Sequence, residues 1–110
     1  MNAIPAIKKT DCKFYVNKDE RTIVCVIPDT RNLLNDFVED NFRWGDFDMF
    51  VGLLDWRIIE MPKSFCGKAV CSEEDEWDEE LGKTLAYYRA REKLYHSFFR
   101  RANNFVQRVD

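Results

Sequence analysis

The stretch DEELGKTLAYYRAREKLYHSFFRRANNFVQRV, residues 78–109, decides how this chain reads. It contains no Pro, no Gly after Gly82, and mostly residues that form helices readily. Leu81, Leu85, Tyr88, Glu92, Tyr95, Phe99, Ala102, Val106 and Val109 step by four and three, the spacing of a helix packed along its length. Leu94, Phe98 and Phe105 widen that seam into a broad apolar face. Asp78 is placed to cap the free N–H groups, with Glu79 and Glu80 at the positive end of the helix dipole. About 30 residues span about 45 Å, whereas a compact domain of this size has a radius of gyration near 13 Å. The helix is therefore expected to overhang its own globule, and the overhang is apolar. Either it breaks near Glu92 and folds back, or it docks on a second subunit. The expectation is a homo-oligomer, dimer or higher, with Tyr95, Phe98, Phe99, Phe105 and Val106 at the interface.

Working outward, the 110 residues suit a single domain with one modest core, rich in aromatics. No apolar run approaches a membrane span and MNAIPAIKK lacks a signal-peptide core, so the chain is expected to stay in the cytoplasm with no membrane partner. The net charge of −3 conceals a segregation: residues 29–80 hold fifteen acids and five bases, residues 81–109 one acid and seven bases.

Residues 1–11 read as a flexible lead-in. Two β-rich runs, Cys12 to Asn17 and Glu20 to Ile27, flank a polar turn and predict a hairpin over 12–27. A two-residue turn at Lys18-Asp19 would set Cys12 opposite Cys25 and Phe14 opposite Ile23; a longer loop is the alternative. Pro28 stops the second strand. Leu33, Leu34, Phe37, Val38 and Phe42 then share one face of a helix predicted over 30–43. Residues 46–63 are ambiguous between short helix and edge strand, with Trp56 to Met61 leaning strand. Residues 64–71 alternate as a strand. The fold class that follows is α+β, an antiparallel sheet with one short helix and one long C-terminal amphipathic helix.

Catalytic signatures are weak. His96, the one histidine, falls on the polar side of the long helix, with no local Ser-His or Cys-His motif. Gly82-Lys83-Thr84 imitates the end of a phosphate loop, but Trp77 stands where the upstream Gly belongs. The acids at 73–80 lack the central Gly of a calcium loop. Cys12, Cys25, Cys66 and Cys71 form no C-x-x-C pair and are expected to be free thiols that pack as small apolar residues, so neither a metal nor a cofactor is predicted.

Two surfaces do suggest binding. Arg89, Lys93, His96, Arg100, Asn103 and Gln107 form a polar, mostly basic stripe beside the seam, with Arg91, Arg101 and Arg108 near its other side. Arg and Asn beside aromatic rings can hold phosphate and stack a base, so Arg89, Lys93, Arg100, Arg101 and Asn103 are the candidate ligand-binding residues. Glu73, Glu74, Asp75 and Glu76 form the acidic block that would face a basic partner.

The run Gly67-Lys-Ala-Val-Cys71-Ser-Glu-Glu-Asp75-Glu-Trp77-Asp78-Glu-Glu-Leu-Gly82-Lys-Thr-Leu85-Ala86-Tyr-Tyr-Arg89-Ala90 resembles a strand-to-helix module of short phage and prophage proteins of Gram-positive bacteria, which read roughly G-x-A-x-C-x-x-x-D-x-[aromatic]-D-x-x-x-G-x-x-[Leu/Ile]-A. It covers about a fifth of the chain. Physically, Asp75 and Asp78 turn the chain and cap the helix, Trp77 plugs the space between them, and Gly82 admits close helix–strand approach. The resemblance implies a phage-encoded counter-defence protein with no enzymatic activity, of the anti-CRISPR or Thoeris anti-defence type, acting in the host cytoplasm. It would either sequester an anionic nucleotide signal as a sponge or block a host immune effector through the acidic surface. The alternative is a nucleic-acid-binding accessory module, for which a sheet followed by a basic helix is suited.

Overall fold

The computed structural model describes residues 6–34, 36–37 and 61–109, the side chains of 105–109 excepted. Three strands, β1 (Lys13–Asn17), β2 (Thr22–Ile27) and β3 (Phe65–Val70), form an antiparallel sheet in the order β1-β2-β3. A long helix, Glu79–Val109, lies across β3 and β2. Ile23, Cys25 and Ile27 alternate into the core from β2, and Gly67 and Ala69 do so from β3. The α+β class expected from the alternation is the one observed. Among the described residues no helix is long and apolar enough to cross a membrane.

The hairpin register differs from the tight-turn expectation. Phe14 pairs with Cys25, and Val16 with Ile23, so Lys18–Arg21 form a four-residue loop. The Arg21 N–H donates to the Lys18 carbonyl at 3.1 Å and the Glu20 N–H to Asn17 Oδ1 at 3.2 Å, and Arg21 closes the loop at φ 53°. Lys-Asp lacks the glycine that a two-residue turn demands, and the longer loop supplies the twist instead. A slip of two residues preserves which side chains face the core, so the apolar face survives the changed pairing.

The lead-in is also tied down from residue 7 onward. Lys9–Asp11 form a 3-10 turn, Ile7 packs against the core, and its carbonyl accepts the Tyr87 hydroxyl at 2.5 Å. Lys9 Nζ donates to Thr84 Oγ1 at 3.0 Å. Of the helix expected over 30–43, residues 33, 34, 36 and 37 are helical; 35 and 38–43 lie outside the described residues, as do 46–60 of the ambiguous stretch. Residues 30 and 62–63 are laced together, with the Thr30 N–H donating to the Lys63 carbonyl at 3.0 Å and its hydroxyl to the Pro62 carbonyl at 2.5 Å.

The long helix is unbroken through Glu92, which is exposed. Asp78 caps it: the Leu81 N–H donates to Asp78 Oδ1 at 3.1 Å and the Gly82 N–H to the Asp78 carbonyl at 3.0 Å. The molecule measures 57 × 21 × 18 Å, with a radius of gyration of 17.4 Å, well beyond a compact chain of this length. The face presented to the sheet, however, is not the anticipated seam. Ala86, Ala90, Leu94 and Ser97, flanked by Tyr87 and Phe98, are the buried positions, roughly 140° around the helix from that seam. Leu81, Leu85, Tyr88 and Phe99 are 55%, 41%, 53% and 50% exposed. The reason is distance. Gly67 lies directly beneath Ala86 and Ala90, and a larger helix face would hold the two elements apart.

Phe98, anticipated at an oligomer interface, is 1% exposed and meets Phe37 edge-on at 5.1 Å. It belongs to the molecule's own interior, because Leu33 packs against the core and Phe37 against the helix itself.

The two glycines at the helix–sheet contact predict opposite responses. A Cβ on Gly67 would sit within 3.0 Å of the Ala86 carbonyl oxygen and of the Ala90 nitrogen and Cα, all backbone atoms that cannot turn aside. Gly67→Ala should cost about 3 kcal/mol or more, or prevent folding. A Cβ on Gly82 would meet only Ile23 Cδ1, at 2.5 Å, a side-chain tip that can rotate. Gly82→Ala should stay within about 1 kcal/mol of the parent, since helix propensity offsets the crowding. Urea unfolding midpoints of the two variants measure the difference.

Candidate anion-binding groove

β3 is the edge strand of the described sheet, and the helix runs beside it. Between them lies a groove of about 410 Å³ lined by Lys68, Arg89, Glu92, Lys93 and His96. Helical spacing assembles most of it: Arg89, Lys93 and His96 occupy i, i+4 and i+7, with Glu92 alongside. Lys68 comes from β3, out of step with the buried Gly67 and Ala69 and so exposed. Arg89 Nη1 donates to the Lys68 carbonyl at 2.6 Å, which fixes the guanidinium at the strand edge. That bond uses one of the five N–H donors an arginine carries. Three cations against the single Glu92 carboxylate make the groove positive, and Arg89 is the member suited to bidentate contact with phosphate.

Of the ligand candidates named from sequence, Arg89 and Lys93 come together here. Arg100 and Asn103 are exposed further along the helix and do not line the groove. Arg101 is turned away from it, half-buried, with its guanidinium donating to Ser97 Oγ one turn back. Arg91 is also held elsewhere: its guanidinium carbon lies 5.8, 5.8 and 5.6 Å from the ring centroids of Tyr87, Tyr88 and Tyr95. Lys68 escaped the sequence reading because the basic stripe was sought on the helix alone. Its signal was there, as a lysine at an outward-facing position of an alternating strand.

The acidic residues Glu73, Glu74, Asp75 and Glu76 are all exposed, on the loop between β3 and the helix. Arg21 fastens that loop. Its guanidinium donates to the Asp75 carbonyl and, at 3.1 Å, to Cys71 Sγ, while the Cys71 N–H donates to the Arg21 carbonyl at 2.8 Å. Trp77 is half-buried against the core, as a plug between loop and sheet. The loop, the helix start and the exposed Val70, Leu81 and Leu85 border a second, open groove of about 960 Å³. Lys83 meets Glu79 at 3.3 Å, a surface pair of small energetic weight.

Among the interface candidates, Tyr95 is half-buried with its ring 6.3 Å from that of Phe99, and the side chains of Phe105 and Val106 lie outside the described residues. Among the described residues no group of three His, Cys, Asp or Glu side chains is arranged to hold a metal ion. The four cysteines are free thiols. Cys25 is fully buried, and desolvation first, then the neighbouring Cys12, pushes its thiol from the ordinary 9.0 up to about 12. Comparison with known proteins finds no matching family profile, curated protein or solved structure.

The thiols give a pH prediction. Cys25 stays neutral in the fold where the unfolded chain would ionise, so its contribution to stability is whole below pH 9.0 and is lost as pH rises toward about 12. The urea midpoint should fall between about pH 8 and about pH 10.5, and fall less in Cys25→Ala. At pH near 8 a thiol reagent should modify the exposed Cys66 in the native protein and reach Cys25 only on unfolding.

Proposed function

We propose that this protein is a non-enzymatic binding protein whose groove between β3 and the long helix holds an anionic nucleotide through Lys68, Arg89 and Lys93. The observation that carries the reading is the anchoring of Arg89 on the Lys68 carbonyl. An exposed arginine held in place loses less side-chain freedom when it takes a phosphate than one waving in solvent. His96 at the rim supplies a ring for stacking or a further donor. The groove is open and shallow, a shape that favours capture over chemistry. The resemblance of residues 67–90 to phage modules supplies the setting: a counter-defence protein that sequesters a nucleotide signal in the host cytoplasm.

A second reading draws on the acidic loop. Glu73, Glu74, Asp75 and Glu76 project from a loop pinned by Arg21, a preformed negative surface able to occupy a basic groove on a host immune effector. The nucleic-acid alternative would lay a strand along Arg89, Lys93 and Arg100, and its mark would be a steep fall of affinity with salt.

The test is thermal unfolding with ADP, ADP-ribose and a cyclic dinucleotide, each at millimolar concentration. A ligand at a hundredfold excess over its Kd adds about 2.7 kcal/mol of stability, an easily seen rise in Tm. Lys68→Glu with Lys93→Glu, both at exposed positions, should abolish that rise while leaving the ligand-free Tm nearly unchanged. No shift with any of the three nucleotides overturns the sponge reading. Binding to a host effector that is lost on neutralising residues 73–76 would establish the inhibitor in its place.

A further inference from the structure

We infer that Arg91 and the tyrosines around it form a second recognition site, on the opposite flank of the helix from the groove, for a carboxylate carried on an aromatic ring. Tyr87 and Tyr88 precede Arg91 by four and three residues and Tyr95 follows it by four, so helical spacing gathers three rings around one guanidinium. The guanidinium carbon lies between 5.6 and 5.8 Å from each ring centroid. Tyr87 is 7% exposed and its hydroxyl donates to the Ile7 carbonyl, which anchors the cluster to the core. Tyr88 is 53% exposed and offers ring surface to solvent beside the charge.

What Arg91 lacks is a counter-ion. Aromatic rings attract a cation through their quadrupoles but carry no charge to cancel it. The groups that raise the Arg91 pKa are Tyr87 first, through hydrogen bonding, then Tyr95 and Tyr88, with no acid among them. Glu92, the next residue along, lines the groove instead. Hydrogen bonding to Tyr87 occupies one of the five N–H donors of the guanidinium, and the others keep their planar fork. Such a fork matches the two oxygens of a carboxylate. Charge then chooses between anions. One guanidinium balances the single charge of a carboxylate, whereas a phosphate monoester carries about −1.5 to −2 at neutral pH and is better met by the three cations of the groove. A ring attached to the carboxylate packs against Tyr88, edge-on or offset. Crowded by three rings already, Arg91 gives up little side-chain freedom on binding.

The test follows the tyrosine-ring resonances of the full chain, made with carbon-labelled tyrosine, during titration with phenylacetate. The Tyr88 and Tyr95 signals should shift saturably at millimolar concentrations. Tyr15, exposed on the far face of the sheet, should stay put. Phenylacetamide, which keeps the ring and loses the charge, and acetate, which keeps the charge and loses the ring, should each bind at least about tenfold more weakly. Arg91→Gln should weaken phenylacetate binding by at least the same factor with a native circular dichroism spectrum. Lys68→Glu with Lys93→Glu should bind phenylacetate as the parent does, so this site and the nucleotide groove stand or fall separately. Tighter binding of glycyl-phenylalanine than of phenylacetate assigns the carboxylate to a peptide terminus, and the reverse assigns it to a free aromatic acid. No saturable shift at tens of millimolar, an equal response to phenylacetamide, or undiminished binding by Arg91→Gln each overturns the inference.

Discussion

The fold depends on one close approach, the passage of the helix over Gly67. With no side chain at that position, the backbone of β3 comes within touching distance of the backbone at Ala86 and Ala90. Everything on the helix is then referred to that crossing. The alanines can only lie inward, so Leu94 and Tyr87 flank them over β2, and Phe98 emerges past the end of the sheet to meet Phe37. The bulky residues one half-turn around are left facing water. The same contact brings Arg89 level with Lys68 and allows the hydrogen bond that builds the groove.

This explains which parts of the structure could be read in advance. The β-rich run from Glu20 to Ile27 and the alternation over residues 64–71 announced two strands, and an unbroken run of helix formers beginning after a capping Asp78 announced the helix. The helix's inward face was missed because apolar periodicity weighs Leu, Tyr and Phe above Ala. A helix packed close to a glycine inverts that weighting, and the inward stripe is the one with the least bulk. Hairpin register was illegible for a different reason: pairings two residues apart keep the same core face, and only the turn's backbone distinguishes them. The site was half legible. Arg89 and Lys93 share a helix face and can be found by spacing, but Lys68 enters through tertiary proximity, which spacing does not encode. Arg101 looked equivalent to Arg100 by composition, yet one residue of helical rotation sends it back to Ser97.

Charge is segregated along the chain, and the fold turns that segregation into geometry. The acidic loop is held by Arg21 at one end of the molecule, and the arginines follow the helix toward the other. Lys83 with Glu79, and Lys9 with Glu80, soften the acidic end but leave the loop carboxylates unscreened. Between the two ends the positive groove opens on the edge strand.

Because the glycine crossing lies near the helix's N-terminal third, the remaining length is a cantilever. From Tyr88 to Val109 the helix extends about 30 Å, so a tilt of about 10° at the crossing carries its tip sideways by about 5 Å. Phe37 against Phe98 is the strut that limits this swing, partway along the arm. Small shifts of Phe37 would therefore be magnified at the distal end of the helix, and a partner seated there would feel them as a change in reach.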